Sequence, residues 1–301
     1  MTEPVIIEVA VNGATSKTQN PFVPVTPAEV AEDAVSLLNR GAAIIHNHPH
    51  DMHLVGEVAA SAYGDSWAPI LAEHPEAILC PTFALGPTAE DKVAHIGPCA
   101  TRGARMAPLD PGSVNLADTA EEGSPGRRRF AYVNDFNAID AALLATTQAG
   151  LASSIAIYEP GFLRATLAYH RAGRIPKGSI VKLYFGGDYD FIGRGLSGRA
   201  GRPAVGFGLP PTNAALTAYL EMLEGSGLSW SVAVLGGDVV RTGLARLALE
   251  RGGHLRVGLE DYGGTDTPTN AQLLEAAVAV CRAVGRPLAS SAEAADLLGM
   301  M

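Results

Sequence analysis

The chain has 301 residues, 47% of them apolar, and a formal net charge of −9 at pH 7. That length accommodates one large α/β domain with a sizeable core. The acidic balance excludes nucleic acid or an anionic membrane surface as the main partner, because both require a basic face.

Short, nearly continuous apolar runs recur along the chain, as suits parallel strands buried on both faces. The first, over 5–11, reads Val-Ile-Ile-Glu-Val-Ala-Val. A helix over 27–40 follows, opened by Thr26 as N-cap, Pro27 in the first turn and Glu29 at the capping-box position, and closed at Arg40-Gly41. Further strands are predicted over 42–47, 77–83, 103–108, 152–158, 179–185, 229–235 and 254–260, with helices over 135–149 and near 211–225, 238–251 and 268–284. Segment 130–134 also has strand character and is read as an extra piece leading into helix 135–149. Eight strands alternating with helices predict an α/β fold, a (β/α)8 TIM barrel spanning residues 1–301 as one domain; an open doubly wound sheet is the competing fold.

Two loops stand out. Residues 117–129 end in Arg127-Arg-Arg129 and read as a solvated loop, while 186–203 are glycine-rich. Gly193-Arg-Gly195-Leu-Ser-Gly198 matches GxGxxG, but the run continues to Gly201-Arg-Pro203, where no helix can open. A mobile loop over the site is expected there in preference to a nucleotide cradle. Cys80, Cys99 and Cys281 lack paired spacing, so neither a disulfide framework nor a CxxC metal site is predicted, and a reducing cytoplasm is the simplest location. No run of about 18 apolar residues is present to span a bilayer, and the first residues carry no signal-peptide pattern, so no membrane association is expected.

The chemistry concentrates in Gly41-Ala-Ala-Ile-Ile-His46-Asn-His48. Strand residues two apart share a face, so both imidazoles project together from the carboxyl end of the second strand, where barrel enzymes build their sites. Paired imidazoles suit zinc or a similar borderline ion. In the last strand, period-2 alternation puts His254, Arg256, Gly258 and Glu260 on one face. Barrel closure sets the eighth strand beside the first, with the second strand beyond it, so Glu260 is predicted to complete a His46, His48, Glu260 metal set with an open position for water or substrate. Asp261 lies just past the strand end, within reach of Arg256 from one layer deeper; the pair is either an oriented general base or a salt bridge that closes the barrel. His50 and His53 are read as loop residues.

Together these motifs resemble the β-keto acid cleavage enzyme family, whose founding activity is 3-keto-5-aminohexanoate cleavage. The resemblance covers Val11-Asn-Gly-Ala14, Pro21-x-x-Pro-x-Thr-Pro-x-Glu29, the H-x-H strand, Asp110-x-Gly-Ser-Val-Asn-Leu116, Gly252-Gly-His-Leu-Arg-Val-Gly-Leu-Glu-Asp261 and Thr269-Asn-Ala-Gln-Leu273. It implies a zinc-dependent barrel, usually a homotetramer, that reacts a β-keto acid with acetyl-CoA to give acetoacetate and a new CoA thioester. By that resemblance His46, His48 and Glu260 hold zinc, Asp261 supported by Arg256 acts as base on the acetyl-CoA-derived partner, and Thr82 and Asp110 meet the substrate. The chain departs from the family pattern at His50, at Pro81-Thr-Phe-Ala-Leu-Gly86, at Pro108, at Ser154 and Ala156, and at Leu235-Gly-Gly-Asp238. A metal-dependent hydrolase and a non-catalytic metal-binding homologue are the other readings.

Overall fold

The computed structural model describes residues 3–300 apart from 121, 123 and 190–203, so the GxGxxG segment lies outside the described residues. Eight parallel strands form one sheet. They are the first (Ile7–Ala10), second (Ile44–His46), third (Ile78–Cys80) and fourth (Met106–Leu109). The fifth (Ala152–Ile157), sixth (Ile180–Gly186), seventh (Ser229–Leu235) and eighth (His254–Val257) follow. Six fall inside the predicted runs, and the fourth and sixth each extend one residue past theirs, to Leu109 and Gly186. The first strand pairs with the eighth on one side and the second on the other. A parallel bridge between Leu79 and Ala104, with the Arg105 N–H donating to Leu79 O at 3.1 Å, joins the third strand to the fourth and closes the ring. That closure excludes the open doubly wound sheet.

The first helix, Pro27–Asn39, starts as its sequence dictates: Thr26 accepts from the Glu29 N–H, and the Glu29 carboxylate returns to the Thr26 N–H. The predicted helix over 238–251 is shorter, Leu244–Leu249. Asp238 accepts the Val240 and Arg241 N–H groups at 2.8 and 3.1 Å, a local turn that competes with helix at this point. The piece at 130–134 belongs to a longer strand, Pro125–Tyr132, paired antiparallel with Val114–Thr119, which also pairs with Ala204–Val205. The expected loop over 117–129 is therefore mostly hairpin. Arg127 and Arg129 are exposed on it, which hid the strand behind a polar composition.

One end of the barrel is sealed. Ile6, Ile44, Ile78, Met106, Ala152 and Ile180 form an apolar layer covered by Ala294 and Ala295 of helix Ser291–Leu298. Ser291 Oγ donates to Ala43 O at 2.8 Å and fastens that helix to the barrel. Above the plug the interior turns polar, with Glu8, Ser154, Lys182, Ser231 and Arg256 all buried. The opposite end, at the strand carboxyl termini, carries the chemistry.

His254 opens the eighth strand and accepts the Ile6 N–H at Nδ1, 3.1 Å away. Burial, with the nearby Arg286 charge second, holds its imidazole down to about 4. A free imidazole titrates near 6.5, so as pH falls the unfolded chain takes up this proton first. The group's contribution to stability is whole above about pH 6.5 and is lost from there down to about 4, amounting to about 2 kcal/mol at pH 5. Urea midpoints measured at pH 7.5 and pH 5 should therefore fall less in His254→Gln than in the parent chain. Equal falls would place the acid sensitivity elsewhere.

Candidate metal and substrate site

His46 ends the second strand, and His48 follows two residues later, its ring 5.2 Å from that of His46 and edge-on to it. The His46 Nδ1 lies 3.0 Å from Cys80 O, and the His48 Nδ1 lies 3.3 Å from Met52 Sδ. With Nδ1–H engaged in this way, each ring turns an Nε2 lone pair toward the barrel mouth. Glu260 meets them there, Oε2 at 3.2 Å from His46 Nε2 and Oε1 at 3.4 Å from His48 Nε2. The three ligand atoms all lie within 4.8 Å of one another. His48 Nε2 and Glu260 Oε2 are buried without a hydrogen-bond partner. Orphaned lone pairs converging from two nitrogens and a carboxylate fit a divalent ion of borderline softness.

Glu260 reaches this point by a different route from the one alternation predicts. The strand ends at Val257, and Gly258, at φ +136°, turns the chain where any Cβ would strike the Ala10 backbone. Asp261 and Tyr262 N–H groups both donate back to Gly258 O, at 3.2 and 3.0 Å, and the Glu260 N–H donates to Ala10 O at 3.2 Å. Across from it, Gly13 at φ +56° leaves the room Glu260 occupies; a Cβ there would run into the glutamate side chain.

Beneath the ligands, Arg256 binds Asp261 through both oxygens, Nε to Oδ2 and Nη2 to Oδ1, each at 2.9 Å. Its Nη1 donates to Glu8 Oε1 at 2.6 Å, and its Nη2 lies 3.1 Å from Glu260 Oε1. Lys182 Nζ reaches the same Glu8 oxygen at 3.4 Å. Burial pushes the Asp261 carboxyl above the ordinary carboxylate range despite the Arg256 charge beside it. Burial would raise Glu260 too, but its neighbours His48, Arg256 and His46 hold it well below that range. Burial brings the His46 imidazole down to about 4, so it is neutral and available as a ligand. Two neighbouring carboxylates are thus driven apart in proton affinity, the pattern that separates a ligand from a base.

Sequence reasoning found His46, His48, Glu260, Arg256 and Asp261, which the fold brings together, and missed Glu8 and Lys182. The signal was present: each is the one charged residue in an otherwise apolar strand, and a charge there needs a partner. Asn12 was also missed. It accepts the His48 N–H at 2.8 Å and donates to His48 O at 3.1 Å, fixing the peptide of that histidine.

Thr82 and Asp110 stand just past the third and fourth strands, at the rim of the cluster. The Thr82 backbone is held by the Tyr63 hydroxyl at 3.0 Å and by His95 Nε2 at 2.8 Å. Asp110 accepts from the Tyr132 hydroxyl at 2.6 Å, and burial pushes its carboxyl up. The Tyr158 ring packs 5.9 Å from Tyr132, 5.1 Å from Tyr184 and 5.2 Å from Phe207, an aromatic wall that no motif announced. His50 and His53 are exposed and outside the metal cluster. His170, on helix Pro160–Arg171, bonds Ser226 O at 2.9 Å, so it is not the middle-strand histidine a hydrolase site needs.

The family model described as beta-keto acid cleavage enzyme matches residues 4–300. The chain is 26% identical to the 3-oxoadipate:acetyl-CoA acetyltransferase of Cupriavidus necator, across 100% of this chain and 96% of that protein. It is also 26% identical to the 3-keto-5-aminohexanoate cleavage enzyme of Fusobacterium nucleatum, across 100% and 99%. Among solved structures, apo ObcA superposes with a TM-score of 0.67 at 17% identity, covering 93% of this chain; this chain spans 66% of that longer one, and the likeness is one of fold.

His46→Ala is expected to abolish zinc binding, read by elemental analysis after dialysis, while circular dichroism retains the barrel. Full metal occupancy would remove His46 from the ligand set. Gly13→Ala, which displaces Glu260, should weaken zinc binding as well, and an unchanged affinity would show that Glu260 is not a ligand.

Proposed function

Because the chain belongs to the β-keto acid cleavage enzyme family, we propose that it exchanges acyl groups between a β-keto acid and acetyl-CoA, giving acetoacetate and a new CoA thioester. One observation carries this reading: an open set of two imidazoles and a carboxylate adjoins a buried Arg256–Asp261 pair. His46, His48 and Glu260 would hold the ion, with zinc favoured by the donor set. When bound, the ion would polarise the keto oxygen and stabilise enolate charge.

The remaining steps belong to the side chains. Asp261 takes the proton from the carbon that becomes the nucleophile, and its raised proton affinity favours that transfer. Arg256 orients the carboxylate through two parallel N–H bonds and keeps it from swinging toward Glu260. The deprotonated carbon, in the β-keto acid, displaces the CoA thiolate from acetyl-CoA. The thiolate attacks the old keto carbonyl, the old carbon–carbon bond breaks, and the same aspartic acid, now protonated, returns the proton to the carbon released, so the exchange consumes no net proton. Thr82 and Asp110 meet the substrate from the third and fourth strands, and Tyr158 and Tyr184 wall its side chain. Ser154 and Ala156 share one face of the fifth strand, and with Tyr158 just past its end they make that quarter of the mouth uncharged.

The reading extends to a cytoplasmic homo-oligomer, a tetramer by the family pattern. Support comes from three buried free cysteines and from exposed Phe130, Val133, Phe136 and Leu144, apolar surface that an interface between copies would cover.

The test is zinc-loaded protein with acetyl-CoA and a range of β-keto acids, with acetoacetate and new CoA thioesters read by mass spectrometry. Both products are expected together, and neither forming from any acid would overturn the proposal. Asp261→Asn should keep its metal and lose roughly 10²–10⁴-fold in kcat. Turnover at the parent rate would remove Asp261 as the base.

A further inference from the structure

The motif Thr269-Asn270-Ala-Gln-Leu273 has no part in the chemistry above, yet it sits against the turn that carries Glu260 and Asp261. Thr269 and Gln272 cap the helix Asn270–Val284 reciprocally, which accounts for those two residues. Asn270 is different: it is buried, and its side chain makes three bonds that leave the helix. Its Oδ1 accepts the Leu259 N–H at 2.9 Å. Its Nδ2 donates to Val11 O and to Asp33 Oδ2, each at 2.7 Å. Both donor hydrogens face acceptors and the carbonyl oxygen faces a donor, so the amide has one satisfied orientation. On the other side of the same residue, Thr15 Oγ1 donates to Leu259 O at 2.9 Å.

The Leu259 backbone is therefore gripped at both its N–H and its C=O, one residue before Glu260. Gly258 has broken the strand, so the neighbouring strands reach residues 258–261 only through the Glu260 N–H to Ala10 O bond at 3.2 Å and the Gly236 N–H to Asp261 O bond at 2.8 Å, and the grip adds to these two. Val11, the other end of the clamp, is itself tied to the second metal arm, its N–H donating to His46 O at 2.9 Å. Asn270 thus joins the Glu260 segment to Val11, whose N–H in turn holds the His46 segment, while touching neither the ligands nor the base.

We infer that Asn270 is a positioning residue that, with Thr15, sets where Glu260 stands relative to His46 and His48 and where Asp261 stands above Arg256. The inference rests on the ligand assignment made above, and its test separates the two. Zinc affinity by competition titration and the visible spectrum of the cobalt(II)-substituted protein are measured for the parent, Asn270→Ala and Thr15→Val, alongside thermal unfolding of each metal-free protein. Outer groups that orient metal ligands are typically worth roughly 10–100-fold in affinity. Asn270→Ala should lose affinity in that range, with a shifted cobalt spectrum. Thr15→Val, nearly isosteric and leaving one side of the grip, should show the same change in smaller degree. Where turnover is measurable, kcat should fall while KM for the keto acid stays near its parent value.

Failure of the parent to bind zinc or cobalt would overturn the ligand assignment, and this inference with it. Parent-like affinity and spectra in both variants would overturn the positioning role alone. A lower unfolding temperature with unchanged cobalt spectra would do the same, because it marks a purely structural residue.

Discussion

A guanidinium closed off from water inside a barrel must find its counter-charges there, and Arg256 finds three. Glu8 from the first strand, Glu260 and Asp261 from the turn beyond the eighth strand all lie within 3.1 Å of its nitrogens. The ring of Tyr184 from the sixth strand packs 5.4 Å from the guanidinium carbon. Removing one member of such a buried set leaves a charge unpaired, at a cost of about 3–5 kcal/mol. The chain therefore cannot choose a different rotamer for Asp261 or a different register for the first strand without paying that penalty. Stability and the placement of the proposed base are one interaction.

The same economy appears in how the ligand segments are held. Metal ligands need placement finer than a free loop provides, and a continuous strand would supply it through its ladder. Here both segments leave the ladder early, the second strand at His46 and the eighth at Val257. What replaces it is the short stretch Ala10–Gly13 after the first strand, which contributes no ligand. Ala10 O takes the Glu260 N–H, the Val11 N–H meets His46 O, the Asn12 side chain grips the His48 peptide, and Gly13 yields space to Glu260. The Val-Asn-Gly-Ala motif is accounted for by this framing: an amide side chain that reads a peptide on both sides, followed by a glycine where no Cβ fits.

How much of this was legible follows from the range of each signal. Strands buried on both faces are marked by local composition, so all eight were found, and the H-x-H pair is a local pattern as well. Glu260 was found through barrel closure, although the strand was expected to run through it; Gly258 was counted as an inward position when its positive φ ends the strand. Asp261 and Arg256 were legible because five residues and a long side chain bound their separation. Glu8 and Lys182 are 174 residues apart, and nothing in a one-dimensional pattern pairs them. The hairpin Val114–Thr119 with Pro125–Tyr132 was half seen: Val114 and Leu116 do alternate with the exposed Asn115, but that run is short, and exposed Arg127 and Arg129 give its partner strand a polar composition.

The interior charge balance bears on which substrates the site accepts. Counted as ionised, Glu8, Glu260 and Asp261 face Arg256 and Lys182, which leaves one negative charge in excess, with His46 kept neutral by burial. A divalent ion on the proposed ligands turns that excess into one positive charge. A β-keto acid brings one carboxylate, equal and opposite, whereas a neutral ester of the same acid would leave the buried charge unbalanced. Asp110 stands at the same mouth, where burial pushes its carboxyl up while the hydrogen bond from the Tyr132 hydroxyl works the other way. A further ionised carboxylate at the mouth would cancel the positive charge that the substrate carboxylate is drawn to. On the function proposed above, discrimination for the carboxylate of a β-keto acid would rest on the whole buried network, with Arg256 at its centre, and not on any single contact to the acid group.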